Sequence, residues 1–127
     1  MEDVLPQRNE KPWGYELLWA FTPQYAGKVL VVKKGYRLSL QYHAEKDESL
    51  YVQSGKVRFT LFPNGKMTES VGEAGFCIHF PPGTVHRLEA LEESVVLEVS
   101  TPQISDVFRL EDDYGRVQAE AVAGAGK

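Results

Sequence analysis

Turn-forming residues divide this sequence roughly every eight to twelve residues, and this spacing constrains the fold more than any other feature. Between the turns lie about ten short segments rich in β-branched and aromatic residues, and none has the periodicity of an amphipathic helix. Short strands in this number pack into a sandwich or close into a barrel. The sequence therefore predicts an all-β fold.

The predicted strands are separated by Gly, Pro and Asn. They cover residues 15–20, 28–33, 37–42, 48–53, 56–62, 66–69, 75–80, 86–90, 94–100 and 106–110. Asn64 and Gly65 predict a two-residue hairpin turn before the strand at Lys66. Residues 1–10 are polar and are expected to be irregular. We expect one domain over 1–127 with a core of 11–116, and a tail at 117–127 that is mobile or a helical stub because it has little to bury.

Composition limits the classes of partner. A chain of 127 residues, 43% of them hydrophobic, can bury one core. The net charge of −4 and the lack of a Lys/Arg cluster argue against nucleic acid and anionic membranes, because both bind positive surfaces. No apolar run approaches the ~20 residues of a membrane span, and the acidic start lacks the positive end of a signal peptide, so a cytoplasmic protein is expected. The single Cys77 lies in an apolar run and is expected to be buried.

Four polar residues at strand and turn spacing form a candidate metal site. Gln41 and His43 are two residues apart, so they project from one face of a strand. Glu48 opens the next strand after a polar turn, and a hairpin would bring it back beside His43. His86 begins another strand after a Pro-Pro-Gly turn and offers a fourth ligand. His79, inside the preceding strand, fits a surface or hydrogen-bonded residue better than a ligand.

The spacing of these residues resembles the two motifs of the cupin superfamily. The first motif is matched by Gly35, Gln41, His43, Glu48 and Gly55. The second motif is matched by Gly75, Pro81, Gly83 and His86. Gln41 stands where most cupins have His, and Ala90 stands where the second motif usually ends in Asn. The resemblance implies a single-domain jelly-roll barrel, the double-stranded β-helix, with a divalent metal inside.

A narrower resemblance is to type II mannose-6-phosphate isomerases, which also form the C-terminal cupin domain of mannose-phosphate guanylyltransferase/isomerase enzymes. It runs from about Lys11 to Arg116 and rests on the segments Lys11 to Gly14, Leu38 to His43, Phe80 to Leu88, Leu97 to Val99 and Phe108 to Arg116. Where that family has further His and a Trp near its Glu, this chain has Ala44, Glu45, Ser49 and Leu50. The resemblance implies aldose–ketose isomerisation of a sugar phosphate.

The predicted ligand set leaves several metals open. Two imidazoles, one carboxylate and one amide oxygen suit Zn, Mn, Co or Ni better than copper. The resemblance slightly favours Zn. These ligands leave room for water or substrate oxygens on the metal, which would act as a Lewis acid.

Candidate catalytic residues are Glu98, Arg37 and Lys33. Glu98 is a lone carboxylate in an apolar run. It either faces the pocket, as the matching Glu of the resembling family implies, or faces solvent from an edge strand. Arg37 and Ser39 share the strand parity of Gln41 and could line the pocket.

Arg109, Arg116 and Lys46 are candidate contacts to the phosphate of the substrate, since an Arg fork matches phosphate oxygens. For the two arginines the alternative is structural ion pairing with the acidic residues at 111–113. Lys33 is a further possible phosphate contact.

The sequence predicts a metal-dependent cupin that acts on a sugar or sugar phosphate, most simply as an isomerase of the mannose-6-phosphate type, with Glu98 as base. One alternative is a non-catalytic sugar- or metal-binding module, and another is a metal-dependent dioxygenase, which would need a redox-active metal. No Gly-rich phosphate loop leads from a strand into a helix, so guanylyl transfer is not expected of these residues. A homodimer, paired through edge strands and terminal segments, is expected from the resemblance.

Overall fold

The computed structural model describes residues 6–117, which form two antiparallel sheets that face each other. The eleven strands are β1 (Gln7–Lys11), β2 (Gly14–Phe21), β3 (Ala26–Val32), β4 (Leu40–Tyr42), β5 (Glu48–Ser54), β6 (Val57–Phe62), β7 (Thr68–Gly72), β8 (Cys77–Phe80), β9 (Val85–Ala90), β10 (Ser94–Ser100) and β11 (Phe108–Glu111). A six-stranded sheet has the order β1-β2-β3-β10-β5-β8, and a five-stranded sheet has the order β11-β4-β9-β6-β7. The predicted all-β jelly roll is confirmed.

Alternating side chains explain how the sheets build one core. In β10, Val96 and Glu98 point inward and are buried, whereas Val95, Leu97 and Val99 point to the outer face. The largest fully buried side chains include Phe59 of β6 and Phe80 of β8, whose ring centroids lie 6.3 Å apart between the sheets. Burying each such side chain contributes about 1.5–3 kcal/mol. The core therefore fills part of the space between the sheets and leaves the rest to polar residues.

The first strand, β1, forms one edge of the six-stranded sheet, and the last strand, β11, forms one edge of the five-stranded sheet. Residues 1–10 were expected to be irregular, but residues 7–10 belong to edge strand β1, which pairs with β2 from Gln7↔Leu18 to Lys11↔Gly14. Polar side chains suit this edge because it faces solvent. At the other end, β11 pairs with β4, and Phe108 stacks on Tyr42 with ring centroids 5.0 Å apart. The predicted tail at 117–127 lies outside the described residues except for Val117.

Two local predictions, one for a strand and one for a turn, had different outcomes. The strand predicted over 37–42 is shorter, since only Leu40–Tyr42 is β4 and Arg37 makes an isolated bridge to Glu89. The predicted two-residue turn between β6 and β7 is present: Asn64 and Gly65 both have positive φ (54° and 77°), as a type I′ turn requires, and the Lys66 amide donates to the Pro63 carbonyl (3.2 Å).

Cys77 was expected to be buried and is exposed. It lies in β8, the edge strand that pairs with β5, and is aligned with Tyr51 on the outer face of the sheet. Among residues 6–117, no helix is long and apolar enough to span a membrane.

Candidate metal site

Three strands deliver a His–Glu–His cluster to the space between the sheets. His43 directly follows β4, Glu48 begins β5, and His86 lies in β9, opposite Gln41 of β4. All three cluster side chains are buried, with 4% relative exposure each. The His43 carbonyl also accepts a hydrogen bond from the Gly83 amide (2.7 Å), which ties the turn before His86 to His43. The loops of the two sequence motifs therefore meet at this cluster.

Backbone carbonyls set the orientation of both imidazole rings. His43 Nδ1–H donates to the carbonyl oxygen of Asp106 (2.6 Å), and His86 Nδ1–H donates to that of Thr84 (2.8 Å). Because a carbonyl can only accept, Nδ1 of each ring carries a proton, and a ring with its proton on Nδ1 alone presents the lone pair of Nε2. Such a partner on Nδ1 is what metal-binding His residues usually have.

The donor atoms converge at distances that fit a cation. His43 Nε2 lies 2.9 Å and His86 Nε2 lies 3.2 Å from the same atom, Glu48 Oε2. If the rings are neutral, the two lone pairs and the carboxylate oxygen repel one another unless a cation lies among them; rings also protonated at Nε2 would instead donate hydrogen bonds to Glu48. Ligands ~2.1 Å from one metal ion and at right angles to each other would lie about 3 Å apart. Within 6–117 these three residues form the group that could hold a metal ion.

Gln41 lies next to this cluster. It pairs with His86 across neighbouring strands, half-buried, and Ser39 Oγ donates to its Oε1 (2.7 Å). Directly opposite side chains on paired strands lie about 5 Å apart. The Oε1 atom keeps a second lone pair, so Gln41 could serve as a fourth ligand.

A buried charge network joins the cluster to Glu98. Lys46 Nζ lies 3.2 Å from Glu48 Oε1 and 2.9 Å from Glu98 Oε2. Burial and the neighbouring Glu48 carboxylate raise the pKa of Glu98, and Lys46 opposes this shift. Burial would also raise the pKa of Glu48, but His43, His86 and Lys46 hold it well below its usual range. Of the two orientations considered for Glu98, the pocket-facing one is found: Glu98 lies on the central strand β10 and lines the pocket.

The cluster lies in a pocket of about 120 Å³. Its lining also includes three cations at the side of the first and last strands: Lys11, Arg109 and Arg116. Arg116 forms a two-pronged ion pair with Asp112 (2.8 and 3.0 Å), whereas Lys11 and Arg109 have no ion-pair partner within 6–117. The pocket therefore has a metal-type end and a cationic end.

Burial and mutual repulsion mark the cationic end. Burial lowers the pKa of Arg109, and the charge of Arg116 lowers it further. Burial likewise lowers the pKa of Lys11; Glu16 opposes this shift, while Lys28, Arg116 and Arg109 add to it. The buried Nε of Arg109 has no hydrogen-bond partner among the described residues. An anion bound here would remove these costs.

Comparison with known proteins identifies the family. The model of the cupin domain matches residues 28–100. The chain belongs to the cupin family. It is 36% identical over 113 residues to mannose-1-phosphate guanylyltransferase ManC of Salmonella typhimurium, an alignment that covers 84% of this chain and 22% of ManC. The chain thus spans about a fifth of the length of that relative.

Solved cupin structures share the fold at lower identity. KdgF from a Halomonas species has a TM-score of 0.68 and 22% identity, over 80% of this chain and 90% of KdgF. Oxalate decarboxylase from Bacillus subtilis has a TM-score of 0.73 and 21% identity, over 95% of this chain and 34% of that one. CapF from Staphylococcus aureus has a TM-score of 0.73 and 21% identity, over 86% of this chain and 32% of CapF. At these identities the similarity is one of fold, the jelly roll.

Two candidate residues lie away from the cupin pocket. Arg37 binds Asp113 through two hydrogen bonds (2.7 and 2.8 Å) with its side chain 40% exposed, and in this segment the pocket lining begins at Leu38. Lys33 is exposed just after β3. Neither is among the residues that line the pocket.

Lys46 reaches the pocket in a different role from the one expected. Its ammonium lies between Glu48 and Glu98, so two carboxylates neutralise the charge that was expected to meet a phosphate. Burial lowers the pKa of Lys46, but Glu98 and Glu48 outweigh it and the pKa is raised. His79 is exposed in β8, 2.5 Å from Asp47, and takes no part in the cluster.

Sequence reasoning missed four residues of the site. Lys11 was noted only as part of a motif, since a lysine in a polar stretch gives no sign of burial. Glu16 and Lys28 form a buried ion pair (3.4 Å) on the pocket wall. Each is the single charged residue of its strand, and this was the signal available in the sequence. Asp106 was predicted as the start of a strand, and its contact with His43 joins residues 63 positions apart.

Proposed function

We propose that this cupin is a metal-dependent isomerase that acts on a sugar or sugar phosphate, of the mannose-6-phosphate isomerase type. The observation that carries the proposal is one pocket with a His–Glu–His cluster and a buried carboxylate at one end and unpaired cations at the other. An aldose phosphate has the matching parts: oxygens at C1 and C2 that a metal can bind, and a phosphate several bonds away. The similarity to ManC, an enzyme named for a mannose phosphate, supports this class of ligand.

His43, Glu48 and His86 would hold the metal, with Gln41 as the fourth ligand. When bound, a divalent metal supplies Lewis acidity that stabilises negative charge on the substrate oxygens. We favour Zn, while Mn, Co and Ni suit the same donors. The structurally similar oxalate decarboxylase has Mn(II) centres, which keeps Mn as the main competitor.

Glu98 is the proposed base. Its carboxylate would take the proton from C2 of the aldose and return it to C1, while the hydroxyl proton passes from O2 to O1, so that aldose and ketose differ only in the positions of two hydrogens. Burial and Glu48 raise its pKa, and a more basic carboxylate is a better proton acceptor. Lys46, 2.9 Å away, would hold the carboxylate in place and ionised between turnovers.

Arg109 and Arg116 would bind the phosphate, with Lys11 beside them. Arg109 pairs with Gln41, and Gln41 pairs with His86, so Arg109 lies two strand spacings, roughly 10 Å, from His86 across the sheet. A hexose phosphate can span that distance. The Asp112 ion pair orients Arg116 and leaves Arg109 as the freer partner.

A non-catalytic sugar-binding module is the second candidate. One observation favours it: both carboxylates near the cluster already contact Lys46, so Glu98 is not free to accept a proton without losing an ion pair. The dioxygenase alternative has no such support, and a Zn content of the native protein would exclude it.

The test is conversion of mannose 6-phosphate to fructose 6-phosphate by the Zn-loaded protein. Glu98→Gln should keep the metal and lower turnover by roughly 10²–10⁴, because it removes the base. Glu48→Gln should lose both metal and turnover. Glu89→Gln is the control, since Glu89 pairs with Arg58 outside the pocket. If the loaded protein binds sugar phosphates yet converts none of a panel of aldoses and ketoses, the binding module replaces the isomerase.

We also propose that the protein is a homodimer, through a different surface from the edge strands. On the outer face of the six-stranded sheet the register aligns an uncharged row across five strands: Leu17, Val29, Leu97, Tyr51 and Cys77. Nearby Trp19 is 51% exposed and Val99 54%. Exposed apolar patches of several hundred Å² mark interfaces, and an uncharged patch matches a second copy of itself in a two-fold dimer.

Sedimentation of the native protein tests this interface. Leu97→Glu should convert a dimer to a monomer and leave the metal content unchanged, because the side chain points away from the pocket. A monomeric native protein at high micromolar concentration would rule the interface out.

A further inference from the structure

One segment between β10 and β11 binds the loop that carries part of the metal site. The carboxylate of Asp106 accepts hydrogen bonds from three consecutive backbone amides: Oδ1 from Ala44 (3.0 Å), and Oδ2 from Glu45 (2.6 Å) and Lys46 (2.9 Å). Successive N–H groups that converge in this way form a small anion-binding nest. Here the anion is part of the chain itself, 60 to 62 residues away in sequence.

The same residue also fixes a candidate ligand. The main-chain carbonyl of Asp106 accepts the Nδ1–H of His43 (2.6 Å), which leaves Nε2 pointing at Glu48. Asp106 therefore contacts the ring of His43 with its backbone and the following loop with its side chain. Both contacts act on one short stretch of chain.

Thr101 closes the other end of this loop. Its Oγ1 accepts the amide of Asp47 (3.0 Å), and its own amide donates to the Asp47 carbonyl (3.0 Å). All four amides at 44–47 thus donate to side chains of the 101–106 segment. The loop has no regular secondary structure of its own, so these bonds determine where it lies.

The position of the loop decides where Lys46 lies. Its ammonium reaches Glu48 and Glu98 at 3.2 and 2.9 Å only while the backbone at 46 keeps its place. A shift of the loop by an ångström would break these contacts and turn the ring of His43 away from Glu48. The loop is therefore a sensitive point of the site although it touches little of the pocket.

We propose that Asp106 is a positioning residue, which holds the His43 ring and the Lys46 ammonium in the arrangement that the metal site needs. Its side chain clamps the 44–46 amides, and this clamp keeps the Asp106 carbonyl on His43 Nδ1. The inference rests on the metal site of the proposed function but not on the isomerase reaction.

The experiment measures metal binding and loop exchange in Asp106→Ala. Affinity for Co²⁺, followed by its visible absorption, should fall by about 10–100-fold, the range seen when partners behind the ligands are removed. Hydrogen exchange at the amides of 44, 45 and 46 should accelerate in the metal-free protein. Asp106→Asn keeps a single acceptor oxygen and should give intermediate values for both. Should the Ala variant fail to fold, the Asn variant carries the test alone.

Asp113→Ala is the matched control, because it removes a nearby carboxylate whose partner is Arg37 outside the pocket. It should leave Co²⁺ affinity and exchange at 44–46 unchanged. Folded Asp106 variants with native exchange at 44–46 would overturn the proposal, as would native Co²⁺ affinity. If the native protein binds no Co²⁺, the proposed metal function fails, and the exchange measurement still decides whether Asp106 clamps the loop.

Discussion

The two ends of the pocket differ in how their charges are balanced. At the metal-type end every buried charge has a partner within 2.9–3.2 Å: Glu48 has both imidazoles and Lys46, and Lys46 has Glu98. At the cationic end Arg116 has Asp112, but Lys11 and Arg109 have no ion-pair partner within 6–117. Both ends are partly or fully buried, so the difference is not one of solvent access.

This difference indicates which interactions the fold supplies and which it leaves to a ligand. A paired, oriented cluster can hold a small cation without rearrangement, because its partners already fix the rings and carboxylate. Unpaired cations in a partly desolvated pocket cost free energy that an arriving anion returns as binding. We therefore expect losses at the metal-type end to abolish function, and losses at the cationic end to weaken affinity and selectivity.

The largest effect is expected from His43→Ala, which removes a donor from the cluster. Metal content should fall to trace levels, and the thermal stabilisation by added Zn should disappear. At free metal 100 times Kd, binding contributes about 2.7 kcal/mol, or roughly 10 °C for a domain of this size. Calorimetry with metal and with chelator measures the difference.

His79→Ala is the control for that experiment, since this exposed His lies outside the cluster and its side chain pairs with that of Asp47. It should keep both metal content and the Zn-dependent stabilisation. Equal loss of metal in both variants would place the binding site outside the cluster.

A smaller effect, on affinity alone, is expected from Arg109→Ala. Loss of a charge-assisted contact of about 1.5–3 kcal/mol should raise KM for a sugar phosphate by roughly 10–100-fold, with kcat and metal content nearly unchanged. The variant should discriminate less strongly between a sugar phosphate and the neutral sugar, because Arg116 and Lys11 remain. Arg37→Ala, whose guanidinium lies outside the pocket on Asp113, should behave as the native protein. Loss of kcat rather than affinity would mean that Arg109 serves the reacting end.

The metal-type end was partly predictable from sequence because some of its residues obey short-range rules. Strand parity placed Gln41 and His43 on one face. The predicted hairpin does not form, because β4 and β5 lie in different sheets, and Glu48 meets His43 because the loop between these strands crosses from one sheet to the other. The burial of Glu98 was one of two alternatives, because sequence alone does not tell a central strand from an edge strand. β10 is a central strand because it pairs with β3 and β5, and both of these strands are distant from β10 in the sequence.

The cationic end and Asp106 were beyond prediction for a similar reason. Lys11 enters the pocket because polar residues at 7–11 form an edge strand, and nothing in their alternation indicates a strand. Arg37 was placed wrongly because parity was extended past the start of β4, where the strand pairing stops. Hydrogen bonds such as those of Asp106 to 44–46 follow from the complete fold and leave no local pattern.

The smallest effect is expected from Asp112→Asn, which tests how the cationic end is held. The pKa of Asp112 would be raised by burial, but the side chain and backbone amide of Arg116 lower it below its ordinary value. The folded state therefore binds this proton less readily than the unfolded state, so the pair stabilises the fold above the unfolded pKa of about 4 and loses its contribution as pH falls through the folded pKa. With the Asp112 carboxylate fully covered and Arg116 25% exposed, we expect about 1 kcal/mol. The difference in Tm between native and variant should be constant from pH 7 to 5, shrink below pH 4 and vanish in stronger acid. A difference that grows on acidification would mean that Asp112 is held protonated and that Arg116, like Arg109, awaits an anion.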